Sequence, residues 1–275
     1  MKFGFNKLLA ACAIVPLAAV HSNPLGCATP DSTETDFFPH KVEPAYSEFW
    51  DISYHGTYKI FTNKVSGLTY LLYQCGTEPP AEELDGRHAN VLSIPPQDGV
   101  NVAATPMITY LELLGVRPSI SGYIGYKNFI SSSCFLNLID SGSISVAEEM
   151  NNETLVASAG ISSETVTLVN GYAGDTVFTN TIVMQEYEET SYISTMEWIK
   201  VYGAIFNLED KANEIFDEAT CRFDEIAENV ASVTTDMPTK PKVLWAYYSE
   251  FCGGWDVAGK LRTFSFAWCS TRSNF

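Results

Sequence analysis

Apolar positions are most regular between Tyr192 and Val230. Trp198, Ile199, Tyr202, Ile205 and Phe206 form one stripe, and Ala212, Ile215, Phe216, Ala219, Phe223, Ile226 and Val230 continue it at spacings of three and four. That is the period of a helix with one buried face. Asn207 followed by Glu209 and Asp210 reads as a fresh N-cap with an acidic first turn, so a kink is expected near residue 207. At 1.5 Å per residue the run would extend about 58 Å, a length suited to joining two lobes.

Ahead of this spine the pattern changes to short apolar runs separated by turn residues. Phe49, Ile52 and Tyr54, then Tyr58, Ile60 and Phe61, flank His55-Gly56 and predict a β-hairpin. Leu68–Gln74 is almost wholly apolar or aromatic, as a strand buried on both faces would be. Strands follow at Ala89–Ile94, Ser119–Ile124 and Thr165–Val169, and helices at Pro106–Leu114 and Ile130–Ile139. Thr105 is placed to cap the first of these helices, with Pro106 in its first turn. Strands alternating with helices imply parallel pairing through helical crossovers. Ligands in such sheets sit beyond the carboxyl ends of the strands. Three loops are singled out on that ground: Ala104-Thr105, Tyr123–Lys127 and Gly171–Asp175. After the spine, Pro241–Tyr248 is one further strand.

The first residues read as an address. Lys2 and Lys7 precede the apolar stretch Leu8–Val20, which is shorter than the roughly 20 residues a bilayer requires and matches a secretory signal. Ser22–Ala45 has no apolar period and is rich in Pro, Ser, Thr and acid, which predicts a flexible leader. The expected organisation is a signal peptide at 1–22, a flexible leader at 23–45, an N-terminal α/β lobe at 46–190, a linker helix at 191–230, and the start of a C-terminal lobe at 231–275.

Hydrophobic residues at 46% and charged residues at 18% of 275 supply an ordinary globular core and exclude wholesale disorder. A net charge of −17 argues against nucleic acid or anionic membrane as a partner, since phosphates would meet an acidic surface. Beyond the signal, Cys27, Cys75, Cys134, Cys221, Cys252 and Cys269 form an even set. Export permits disulfides among them without fixing the pairing. Pro24-Leu-Gly-Cys27 is a poor version of a lipoprotein signal, which leaves a lipid anchor on Cys27 as a minor alternative.

Candidate catalytic chemistry is thin. His21, His40, His55 and His88 are scattered, with no helical pair to hold a metal. There is no Gly-x-Ser-x-Gly elbow and no phosphate-binding glycine loop. Acidic pairs such as Glu148-Glu149 and Glu188-Glu189 read as solvated faces. No catalytic residue, metal site or cofactor is expected.

Tyr54-His-Gly-Thr-Tyr-Lys-Ile60, Tyr70-Leu-Leu-Tyr-Gln-Cys-Gly-Thr77, Leu111-Glu-Leu-Leu-Gly115, Glu197-Trp-Ile199 and Lys242-Val-Leu-Trp-Ala246 together resemble the periplasmic-binding-protein-like substrate-binding proteins of iron-siderophore and vitamin B12 type. The resemblance runs from about Phe38 to Asp256. It implies two α/β lobes joined by a rigid helix, with a small ligand such as a ferric siderophore held between them and passed to a membrane permease of ABC type. From Ala258 onward the chain departs from that pattern, so the second lobe is expected to be incomplete.

The expected ligand groups are Thr105, Tyr123, Tyr126, Lys127 and Tyr172 on the first lobe, faced by Tyr247 and Trp255 from the second. Phenols and indoles join a large apolar contact to one polar handle, and Lys127 would meet an anionic group. The expected function is non-enzymatic solute capture by a secreted or periplasmic protein. The alternative is a secreted protein-interaction module or a non-binding homologue, because a cleft needs two walls.

Overall fold

The computed structural model describes residues 23–29, 36–171, 176–235, 239, 246–249 and 254–257. It opens with the expected hairpin, β1 (Trp50–His55) and β2 (Tyr58–Asn63), turning at Gly56 with φ of 56°. Antiparallel to β2 runs β3 (Leu68–Gln74), and parallel to β3 runs β4 (Asn90–Ile94). Tyr70, Leu71 and Leu72 are buried in succession, so β3 is covered on both faces as its composition predicts.

A second sheet carries the crossovers. Its strands are β5 (Val100–Val102), β6 (Ile120–Ile124), β7 (Ser145–Ala147), β8 (Thr167–Asn170) and β9 (Thr181–Met184). They lie in the order β7-β6-β5-β8-β9, and every neighbouring pair is parallel. Between them run α1 (Thr105–Leu113), α2 (Ser133–Asp140) and α3 (Glu153–Ser158). Two of these strands, β5 and β7, leave no apolar run in the sequence. β5 is three residues long with Asn101 at its centre, and that buried amide donates to Ser162 O at 3.2 Å and Thr167 Oγ1 at 3.1 Å. Tertiary partners satisfy a polar group that propensity would have excluded.

The two sheets meet at β9. Asn63 Nδ2 donates to Val183 O at 2.9 Å, Asn90 Nδ2 donates to Thr181 O at 2.7 Å, and Val183 N donates to Tyr70 Oη at 3.0 Å. Side chains of the first sheet thereby occupy backbone groups of the edge strand β9, which would otherwise template further pairing.

The spine is not one rod. α4 (Tyr192–Glu197) and α5 (Ile199–Ile205) are followed by α6 (Glu209–Thr234). All seven residues of α5 are buried, which makes it a core helix rather than a linker. The chain turns at Asn207, in the left-handed region with φ of 56°. Leu208 N donates to Gly203 O at 2.8 Å, the closing bond of a Schellman turn, with asparagine where glycine is usual. The kink is therefore where the sequence places it, while the capping role assigned to Asn207 is corrected: its side chain serves the core instead. A Cβ on Gly203 would come within 2.5 Å of Ala212 Cβ, so only glycine allows α5 and α6 to approach this closely. α6 alone spans about 39 Å, shorter than the 58 Å of an unbroken helix.

The leader at 23–45 also needs correction over the part that is described. Phe37, Phe38 and Val42 are buried in the main core. Asn23 Nδ2 donates to Glu209 Oε2 at 2.7 Å, and Asn207 Nδ2 donates to Pro24 O at 2.8 Å. Composition predicts flexibility there because two phenylalanines in a polar stretch show no period. The core nevertheless takes them in, over the Lys59 ammonium 4.4 Å from the Phe38 ring.

Cys27 is disulfide-bonded to Cys75, with Cα atoms 4.5 Å apart. That sulfur is unavailable for a lipid thioether, so the minor alternative of an anchor on Cys27 falls. After the spine, β10 (Ala246–Ser249) and β11 (Gly254–Val257) pair antiparallel. β10 overlaps the strand expected at Pro241–Tyr248, and residues 258–275 lie outside the described residues. No helix among the described residues is long and apolar enough to cross a membrane.

Candidate functional site

In the parallel sheet, β5, β6 and β7 step one way and β8 and β9 the other. The order reverses between β5 and β8, and an open α/β sheet has its ligand crevice outside the carboxyl ends of the strands at such a reversal. The segments there are Ala103–Thr105 after β5, Gly125–Lys127 after β6 and Gly171 after β8. All three loops expected from the sequence thus leave the same edge of one sheet, though residues 172–175, including Tyr172, lie outside the described residues.

Thr105 stands at the start of α1, half-buried. It is the first helical residue and not the cap. Ala104 holds the cap position, and among the described residues no side chain caps this helix. The positive end of the helix dipole there favours an anionic group.

Tyr126 and Phe129 are the two large aromatic side chains exposed on the β6–α2 connection, at 49% and 67%. Their rings meet edge to face with centroids 6.1 Å apart, held by a 3-10 turn at Lys127–Phe129. Tyr126 is among the ligand groups expected from the sequence, and Phe129 is not. The signal was its position: an apolar ring just ahead of Ile130, where the helix expected at Ile130 begins only at Ser133.

Two other expected ligand residues are placed differently. Tyr123 is buried inside β6, its ring edge-on to Phe135 at 5.9 Å, and burial pushes its phenol pKa up. It is a core residue because Gly122, Tyr123 and Ile124 are buried in succession, so the end of β6 is covered on both faces. Lys127 is exposed and ion-paired with Asp140, a surface contact of small worth that a ligand anion would have to compete with. Tyr247 and Trp255 stand on β10 and β11, opposite Asp256 and Tyr248 in the register.

A polar group that the sequence did not flag lies at the end of β9. Glu186 is buried, and desolvation raises its carboxyl pKa to about 7. Tyr202 Oη donates to its Oε1 at 3.4 Å, while Oε2 has no partner among the described residues. Tyr202 in turn stacks on Tyr110 at 4.6 Å. Beside it Gln185 lies against Gly171, where a Cβ would come within 2.6 Å of Nε2.

The opposite, amino edge of the sheet carries a shallow depression of about 460 Å³ lined by Pro96–Gly99, Pro118–Ser121 and Ser143. It holds one titratable side chain, Asp98, and no aromatic ring, so it lacks the groups that orient a ligand. The carboxyl edge is the better site on chemistry. Among the described residues no three of His, Cys, Asp and Glu come together to hold a metal ion.

No family model matches the chain, and no curated protein matches it. Solved structures do. A periplasmic heme binding protein from Pseudomonas aeruginosa is 13% identical, over 60% of this chain and 57% of that one, with a TM-score of 0.44. A periplasmic binding protein from Veillonella parvula is 12% identical over 60% and 54%, also at 0.44. An ABC-type Fe3+-hydroxamate transport system protein from Saccharomonospora viridis is 16% identical over 56% and 56%, at 0.35. The chain thus spans little more than half the length of these proteins. The α/β class itself rests on the strand pairing described above.

Proposed function

We propose that this protein is a secreted or periplasmic solute-binding protein that captures a small ligand at the carboxyl edge of the five-stranded sheet, without chemical conversion, for uptake by an ABC-type permease. The observation that carries this reading is the reversal of strand order between β5 and β8, with the Tyr126–Phe129 pair exposed on the same edge. Aromatic faces beside an uncapped helix start suit a bulky, partly apolar ligand with an anionic group, a description that an iron chelate fits. The resemblance of the sequence motifs to iron-siderophore binding proteins points the same way, and the Cys27–Cys75 disulfide favours an oxidising compartment.

Thermal shift and titration of the full chain against ferric hydroxamates, haem and cobalamin test this, because a ligand of the folded state alone raises its melting temperature. Tyr126→Ala with Phe129→Ala should weaken the responding ligand by roughly tenfold or more, about 1.4 kcal/mol. Gln97→Ala on the amino edge should leave binding unchanged. A folded protein that responds to none of the three classes, or a double variant that binds as the parent does, refutes the proposal. The alternative of an interaction module has its own observation, the exposed face of α6.

A further inference from the structure

The second half of α6 has a face that neither the core nor the proposed ligand edge uses. Phe223, Ile226, Val230 and Val233 are 46, 63, 55 and 71% exposed and follow one another at three, four and three residues. With Phe216 and Ala219 ahead of them they keep a strict seven-residue repeat, residues 216, 223 and 230 on one seam position and 219, 226 and 233 on the other. Asp217, Glu218, Asp224, Glu225 and Glu228 all occupy the three heptad positions away from the seam. Thr220, Arg222, Ala227 and Asn229 flank it. A chain of net charge −17 has kept every carboxylate of this stretch off the seam and its flanks.

We propose that this stripe is a self-association surface on which α6 of a second copy of the chain packs antiparallel. Charge selects this occupant, since two such seams meet without carboxylates facing each other although each copy carries a net charge of −17. Among the described residues the closest cover of the seam is at Phe216, which is buried under Tyr46, edge to face at 5.8 Å, and the Lys200 ammonium 4.3 Å from its ring. Cys221 is disulfide-bonded and stands at a heptad position on the side of the helix opposite the stripe. The direction follows from the lobe. It already occupies the seam at Phe216, so a parallel partner would bring a second lobe to the same end, whereas an antiparallel one sets Phe223 against Val233 and Ile226 against Val230 with the lobes apart. The four side chains expose roughly 400 Å² of apolar surface per copy, an interaction-sized patch, and two copies with their flanks approach the roughly 1,000 Å² of a specific interface.

Sedimentation of the full secreted chain from about 1 to 100 µM tests the proposal. The expected result is a dimer whose association Ile226→Asp or Val230→Asp weakens by at least about tenfold, with the melting temperature of the lobe unchanged because both side chains are exposed. Glu228→Ala, on the back of the helix, should leave association as it was. In a Cys134→Ser background, Ala227→Cys should form a disulfide-linked dimer on mild oxidation, because residue 227 meets its own copy across an antiparallel pair. A wild-type monomer throughout the range, or charged variants that associate like the parent, overturns self-association. A dimer that Ala227→Cys fails to link overturns the antiparallel arrangement.

Discussion

Removing the carboxylate of Glu209 should be among the most destabilising single changes in the described fold. Lys59 and Glu209 are ion-paired with neither side chain exposed to solvent. The lysine also donates to Ala204 O at 2.6 Å and Asn207 Oδ1 at 2.8 Å. Glu209 accepts in addition from Asn23 Nδ2 and, at 3.4 Å, from Tyr54 Oη. Burial lowers the Lys59 pKa, and the attraction of Glu209 opposes that shift. Glu209→Gln keeps the shape and one acceptor oxygen but leaves the ammonium without a counter-charge. Breaking a buried pair this way costs about 3–5 kcal/mol, which for a chain of this size lowers the melting temperature by roughly 6–20 °C. In the variant the folded lysine pKa falls further below its unfolded value. Between those two values the folded state binds fewer protons than the unfolded one, so stability rises with pH there. Urea unfolding followed through the buried Trp50 and Trp198 should therefore show the full deficit at pH 7 and a smaller one near pH 10. The companion Lys59→Met with Glu209→Leu should recover most of the loss, since an apolar pair needs no counter-charge. A deficit below about 1 kcal/mol at pH 7, or one that does not shrink at alkaline pH, would refute the reasoning.

Two further outcomes are expected. Glu186 has a folded pKa of about 7 against an ordinary 4.5, so the folded state holds the proton longer and stability falls as pH rises through that window. Glu186→Gln should remove this slope and gain up to about 3 kcal/mol well above pH 7, measured as a pH series of urea midpoints; an unchanged slope would show that Glu186 is not its source. Gly203→Ala should cost about 1–3 kcal/mol by forcing α5 and α6 apart, read from thermal melts, and an unperturbed melt would mean that the helices can slide without loss.

How far the site was legible divides along the range of the interaction. Loops at residues 104–105, 123–127 and 171–175 are expected from local strand and turn signals, and their described parts beyond the strands, residues 104–105, 125–127 and 171, leave one sheet edge. Which side chains face outward on that edge does not follow. Tyr123 and Tyr126 are three residues apart in similar company, yet one belongs to the end of β6 that is buried on both faces and the other to a turn beyond it. Lys127 finds Asp140, across the connection on α2, and Glu186 becomes a buried acid because α5 lays Tyr202 over it.

What the sequence determined by itself was the set of elements with a strong period: the hairpin around Gly56, the doubly buried β3, and a helical stripe interrupted at residue 207. Each depends on neighbours within one or two turns, where chain geometry fixes which residues share a face. Only the tertiary structure decided that α5 is core, that Phe37 and Phe38 are taken in from a polar leader, and that three-residue strands such as β5 exist at all. Those outcomes depend on partners distant in the chain, such as Thr167 for Asn101 and Glu209 for Lys59, and no local pattern records them.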